Sequence, residues 1–145
     1  MISNRCLYAL KAMLELSLRQ KKGPITIGQI AEAQKIPVRF LEAILRQLKQ
    51  AGLANSARGK EGGYQLAREP HAITMGEVIR IFEGPLVSAN KSENGEPATD
   101  VPNVFVPVWR EAEQALAAVY DKTDFGTLAD REHNRTSVQA TNFSI

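Results

Sequence analysis

Ile36-Pro-Val-Arg-Phe-Leu-Glu-Ala-Ile-Leu-Arg-Gln-Leu-Lys-Gln-Ala-Gly-Leu53 is the stretch that decides the fold. Pro37 suits the first turn of a helix, where its missing N–H has no intrahelical acceptor to lose. From there to about Gln50, Phe40, Leu41, Ile44, Leu45 and Leu48 recur at three- and four-residue spacing and predict one apolar face. Arg39, Glu42, Arg46, Gln47 and Lys49 take the other face, and Gly52 closes the helix. Just upstream, Thr26-Ile-Gly-Gln29 reads as a capping box. It opens a short helix from Ile27 to about Gln34, with Ile27, Ile30 and Ala31 on one side. Two short helices joined by a tight turn, the second polar and partly basic outward, describe a helix-turn-helix.

The residues that follow narrow the choice. Leu53–Ala57 and Tyr64–Ala67 are short extended candidates, separated by Arg58-Gly-Lys-Glu-Gly-Gly63. Three glycines in those six positions supply the backbone freedom a hairpin turn or bulge needs. A basic hairpin straight after a recognition helix is a wing. The expected fold is mainly α with a small β-hairpin: a winged helix-turn-helix domain, whose usual partner is double-stranded DNA, plus a long C-terminal helix.

Charge agrees with that partner. The net charge is only +2, but 12 Lys/Arg stand against 5 Asp/Glu through Pro70, and 6 against 11 from His71 onward. A basic N-terminal half suits a polyanion, and an acidic remainder does not. At 145 residues and 43% hydrophobic content, one domain with an appended helical arm is expected, its core built mainly from Leu, Ile, Val and Ala. No apolar run approaches the roughly 20 residues of a membrane span, and no signal-peptide pattern opens the chain. The expectation is a cytoplasmic protein with no membrane partner. The single cysteine excludes an internal disulfide.

Upstream, a first helix is expected from about Asn4 to Gln20. Leu7, Leu10, Met13 (or Leu14) and Leu18 form a stripe broadened by Tyr8, Ala9, Ala12 and Leu16. Cys6 lies beside that stripe and reads as a small buried hydrophobe, with a redox or ligand role as the alternative. Lys21-Lys-Gly-Pro24 ends the helix. Downstream of the wing, Thr74-Met-Gly-Glu77 is a second capping box, opening a helix to about Phe82 that Gly84-Pro85 stops.

From Gly84 to Asn103 periodicity vanishes, as in a solvated loop. Glu93, Glu96 and Asp100 there are too scattered to define a cation site. Periodicity returns from Val104 to about Lys122 through Val108, Trp109, Ala112, Ala115, Leu116, Val119 and Tyr120, with Pro107 in the first turn. A helix placed after such a loop either pairs with a second subunit or packs back on the first helix, because alone it is marginal in water. Asp124 caps a short helix from Phe125 to Glu132, and the polar residues beyond show no pattern. The expected organisation is residues 1–83 as the winged helix-turn-helix domain, 84–103 as a loop, 104–135 as the long helix with a short terminal helix, and 136–145 as a tail.

Together these residues resemble the Rrf2 family of bacterial transcription regulators, the family of the iron–sulfur cluster regulator. The resemblance rests on Tyr8-Ala-Leu10, on Ile36–Leu45 and Leu48–Leu53, and most specifically on Ser56-Ala-Arg-Gly-Lys-Glu-Gly-Gly-Tyr-Gln-Leu66. Ile73–Ile79 and Glu83-Gly-Pro85 extend it. It covers about residues 1–85 well and the long helix more loosely.

The family implies a homodimer on an inverted-repeat operator, each subunit placing a recognition helix in a major groove and a wing in the adjoining minor groove. By position, Val38, Arg39, Phe40, Glu42 and Arg46 belong to the recognition helix, and Arg58, Gly59 and Lys60 to the wing. The chemistry agrees: Arg donates to guanine O6/N7 or phosphate, Glu accepts from cytosine N4, and a wing Arg is drawn to a narrow minor groove. Glu42 alternatively pairs with Arg39 or Arg46. Thr26 and Gln29 mark a helix N-terminus suited to phosphate. The long helix becomes the dimerisation helix, through Val108, Trp109, Ala112, Leu116 and Val119.

Relatives that sense through an iron–sulfur cluster carry three cysteines in the loop before that helix. Residues 84–103 hold none, and Cys6 is the one thiol in the chain. No cofactor is therefore expected, and control by a regulatory protein or small-molecule effector takes its place. The expected function is a dimeric, sequence-specific regulator, most simply a repressor, with a winged-helix protein-interaction module as the alternative. His71 and His133 belong to no nucleophile or phosphate-loop arrangement, so no enzyme is expected.

Overall fold

In the structure, a computed structural model, residues 2–57, 62–86 and 103–142 are described. The chain runs α1 (Asn4–Leu18), α2 (Ile27–Gln34), α3 (Val38–Gln50), β1 (Ala54–Ala57), β2 (Gly63–Leu66), α4 (Met75–Glu83), α5 (Val106–Lys122) and α6 (Phe125–Asn142). Single 3-10 turns lie at Gln20–Lys22 and Pro70–Ala72.

Both capping boxes form. Thr26 Oγ1 accepts from the Gln29 amide at 3.2 Å while Gln29 Oε1 accepts from the Thr26 amide at 3.0 Å. Thr74 and Glu77 repeat the exchange at 3.3 Å in each direction. Each box satisfies one first-turn amide that the helix itself leaves open.

β1 and β2 pair antiparallel, Ala54 opposite Leu66 and Ala57 opposite Gly63. Ile25 lies on the other side of β2, trading backbone hydrogen bonds with Tyr64 at 2.8 and 2.7 Å. Gly63 makes that possible, because a Cβ there would collide with the Ile25 backbone. The base of the wing is thereby tied to the segment that leads into α2.

The core gathers Ala12, Met13 and Leu16 of α1, Ile30 of α2, Leu41, Ile44, Leu45 and Leu48 of α3, with Ile73, Val78 and Phe125. Each large aliphatic side chain buried there contributes about 1.5–3 kcal/mol. The stripe expected on α1 is corrected. Cys6, Ala9, Ala12, Met13 and Leu16 are buried, whereas Leu7 is exposed and Leu10, Leu14 and Leu18 are only half-buried. α3, α4 and α6 all contact α1, and the helix meets them on a face that includes its small residues, where backbones approach most closely. Glu15, itself buried, accepts from Arg19 at 2.6 Å and from Gln34 at 3.0 Å and so joins α1 to α2.

The C-terminal part also differs from expectation. The terminal helix does not stop at Glu132 but continues to Asn142, through most of the stretch taken for a tail. Its start is anchored. Asp124 accepts from the Thr127 amide at 2.7 Å and the Thr127 hydroxyl at 2.9 Å, and its Oδ1 meets His71 Nδ1 at 3.0 Å. Phe125 enters the core beside α1. Once nucleation is provided by tertiary contact, a polar sequence extends a helix with one hydrogen bond per added residue. The same anchoring decides what packs on α1: it is α6, while α5 lies against α4. Among the described residues, no helix is long and apolar enough to cross a membrane.

Candidate nucleic-acid interface

The turn between α2 and α3 sets the presentation of the recognition helix. Lys35 adopts a left-handed conformation (φ 55°), ending α2, and Ile36 drops into the core. Pro37 is the N-cap itself, one residue earlier than a first-turn position, and α3 begins at Val38. Leu41, Ile44, Leu45 and Leu48 then face inward. Val38 is 51% exposed and Phe40 43%, and Arg39, Glu42 and Arg46 are exposed beside them.

Phe40 is thus corrected from the buried face to the outer one. It stands at the rim of the buried face, about 100° round the helix from Leu41, and two neighbours steady its ring. Tyr8 of α1 stacks on it with centroids 6.2 Å apart and planes 20° from parallel, and the Arg39 guanidinium lies 4.6 Å from its centroid. Glu42 forms no ion pair with Arg39 or Arg46 among the described residues. The ion pairs there join Arg19 to Glu15, Arg68 to Glu77, Arg80 to Asp121 and Arg135 to Glu132. Arg39 and Arg46 are left unneutralised within that set, a charge surplus suited to a polyanion.

Thr26 and Gln29 are exposed at the start of α2, but their side chains are committed to each other. What they leave for an anion is the helix end, with the amides of Ile27 and Gly28 in its first turn. Arg58, Gly59 and Lys60 lie outside the described residues. The strands that carry them do not: Lys49 Nζ donates to Ser56 Oγ at 2.6 Å, fastening the end of α3 to β1.

Three contributors carry little sequence signal. Arg5 donates to Gln47 Oε1 at 2.7 Å and stands 5.7 Å from the Phe82 ring centroid. Gln47 in turn donates to the Ile81 carbonyl at 3.4 Å, so it bridges α1, α3 and α4 rather than facing solvent. Tyr8 supports Phe40. Helical periodicity marks Tyr8 only as a stripe residue and says nothing of Arg5, because the contact partner lies more than thirty positions away.

The expected dimerisation residues sit on α5, where every residue is exposed or only half-buried. Val108 is 59% and Val119 62% exposed, and Trp109 stacks on Phe105 at 5.8 Å. Ala112 and Leu116 continue the same face.

Cys6 is fully buried beneath Ser3, whose hydroxyl accepts from the Cys6 amide at 3.1 Å. Glu83 accepts from both the amide and the hydroxyl of Ser3, which holds its carboxyl below the usual range. Burial, reinforced by the Glu83 charge, pushes the Cys6 thiol up to about 11. A thiol so protonated is a poor metal ligand. Glu93, Glu96 and Asp100 lie outside the described residues, among which no group of three His, Cys, Asp or Glu side chains could hold a metal.

Comparison with known proteins agrees with this geometry. The model of the Rrf2 family, described as an iron-dependent transcriptional regulator, matches residues 2–131. The HTH-type transcriptional regulator CymR of Bacillus subtilis is 36% identical over 128 residues, 88% of each chain. The HTH-type transcriptional regulator IscR of Aliivibrio salmonicida is 32% identical over 132 residues, 90% of this chain and 78% of that protein. The solved structure of CymR, described as the global cysteine regulator of B. subtilis, superposes with a TM-score of 0.78 at 34% identity, covering 90% of this chain and 97% of that one. T. potens IscR gives 0.76 at 32%, covering 92% and 90%.

Proposed function

This chain belongs to the Rrf2 family of DNA-binding, winged helix-turn-helix transcriptional regulators and is not an enzyme; from that premise we propose that it acts in the cytoplasm as a homodimeric repressor that needs no iron–sulfur cluster. The observation that carries the DNA contacts is the first turn of α3, where Val38, Arg39 and Phe40 are exposed on a helix whose inner face is buried and whose far end is fastened to the hairpin. Arg39 donates to guanine O6/N7 or to phosphate, Glu42 accepts from cytosine N4, and Phe40 and Val38 take thymine methyl groups. Arg46 neutralises a phosphate further along. Arg58, with Gly59 and Lys60, enters the minor groove, and the α2 end capped by Thr26 and Gln29 holds a phosphate.

The exposed apolar face of α5 supports the dimer, since Val108, Trp109, Ala112, Leu116 and Val119 all keep exposed surface among the described residues. Two subunits on a two-fold axis require an inverted repeat, with half-sites about one helical turn or a multiple apart. The cysteine-free stretch 84–103 and the protonated, buried Cys6 support control without a cluster, through a small-molecule effector or a regulatory protein.

The test is selection of bound fragments from sheared genomic DNA by the purified protein at two salt concentrations, with sedimentation to give its mass. A dimer that enriches one inverted repeat, with affinity falling steeply in log–log against salt, is expected. A monomer that enriches nothing even at low salt, and forms only salt-insensitive protein complexes, would sink the proposal in favour of a winged-helix protein-interaction module.

A further inference from the structure

Between the N-terminal half of α1 and the first turns of α3 lies a cleft of about 460 Å³. Tyr8, Phe40, Ala43 and Ile44 give it apolar and aromatic walls, and Asn4, Arg5 and Arg39 line it with polar and cationic groups. The volume falls within the usual range for small-molecule sites, and the mix of apolar wall with a few converging polar groups is what such sites have.

Its charge is one-sided. Among the described residues, no carboxylate lines the cleft. Arg19, Arg68, Arg80 and Arg135 each meet a carboxylate, but Arg5 rests on the neutral amide of Gln47 and Arg39 on the Phe40 ring. Two guanidiniums without a carboxylate partner among the described residues therefore border an aromatic-walled space. Inorganic anions would leave that wall unused, and a neutral aromatic would leave the guanidiniums unused.

We propose that this cleft binds a small aromatic carboxylate, its ring against Tyr8 and Phe40 and its carboxylate held by Arg5 and Arg39. A carboxylate matches the forked donor geometry of guanidinium, and the ring extends the existing Tyr8–Phe40 stack. Occupancy engages Arg39 and Phe40, the side chains assigned above to the major groove, so ligand and operator exclude each other. That consequence rests on the DNA-binding role proposed above; the binding itself does not.

The probes are benzoate and indole-3-acetate, with acetate and inorganic phosphate as controls, titrated into the full chain while NMR follows the Tyr8 and Phe40 rings and the Arg5 and Arg39 Nε signals. Saturable shifts at these groups are expected for both aromatic acids, at least about tenfold tighter than for either control, the scale of seating one aromatic ring against the Tyr8–Phe40 wall. Arg5→Gln weakens both by about tenfold or more, and Ala43→Leu, which fills the cleft, removes binding. Circular dichroism melts identify either variant that fails to fold, and the remaining one decides. Equal affinity for phosphate and benzoate, an absence of saturation, or binding unchanged in a folded variant overturns the proposal.

Operator affinity is measured separately. A probe at about tenfold its dissociation constant is expected to weaken operator binding about elevenfold if the two compete. A probe-saturated protein that holds its operator unchanged overturns the exclusion. A protein that binds the aromatic acids but no DNA supports the cleft and sinks the repressor.

Discussion

The guanidinium of Arg80 and the carboxylate of Asp121 meet through two parallel hydrogen bonds of 2.6 and 2.9 Å, joining α4 of the winged domain to α5. Gly76 lies directly beneath, where a Cβ would strike the Asp121 carboxylate. The Arg80 hydrogen bonds hold the Asp121 carboxyl below its ordinary value of 3.8. A depressed carboxyl contributes stability that is complete above its unfolded pKa and lost as pH falls through its folded one. Asp121→Asn should therefore lower Tm at pH 7, and the gap from wild type should begin to narrow only below about pH 4. Melts at pH 7 and pH 3 check this. Because the pair is exposed, added salt should shrink the same gap.

Phe125 tests whether the C-terminal helix belongs to the core. It is fully buried and opens α6. Phe125→Ala should cost about 3–5 kcal/mol in urea unfolding, with the m-value unchanged. A loss under about 1 kcal/mol, no more than a surface change produces, would mean that α6 is an independent appendage.

The two capping boxes separate stability from DNA binding. Thr74→Ala and Thr26→Ala each remove a cap at the start of a helix and should cost about 1 kcal/mol. Only Thr26→Ala should also weaken operator binding, because the phosphate contact proposed above is at the start of α2 and not of α4. Parallel denaturation and fluorescence-anisotropy titrations give both quantities.

Arg58→Ala should reduce specific operator affinity by about 1–3 kcal/mol and leave Tm within the error of a surface change. Arg46→Ala should weaken all DNA sequences alike and flatten the salt slope by about one. Equal losses of folding and binding in Arg58→Ala would remove the wing role.

Cys6, with its thiol pushed up to about 11, should react slowly with iodoacetamide at pH 8 in the native protein and quickly in denaturant. The native rate should climb only as pH approaches 11. Raised folded-state pKa also means that stability is complete below the ordinary thiol value of 9.0 and declines as pH rises through the folded value, which melts between pH 8 and pH 11 would register.

Local chemistry alone determined the helix-turn-helix, the capping boxes of α2 and α4, the hairpin after α3 and the long helix that begins at Val106. Those features depend on residues a few positions apart, where helical period, proline, glycine and cap residues act directly. Tertiary structure decided the rest. Which side of α1 is buried follows from the four helices that meet it, α2, α3, α4 and α6, and Ala9 and Ala12 lie there while Leu7 is left outside. Phe40 is exposed because the buried face of α3 is centred on Leu41, Ile44, Leu45 and Leu48, and Tyr8, thirty-two positions away, stacks on it at the rim of that face. Asn134 to Asn142 became helix because Phe125 and Asp124 are pinned to the winged domain, a nucleus no window of that polar segment contains. The cleft between Arg5 and Arg39 exists only once α1 and α3 are packed, since burial and charge pairing between distant helices are set by the assembled chain and not by residue order.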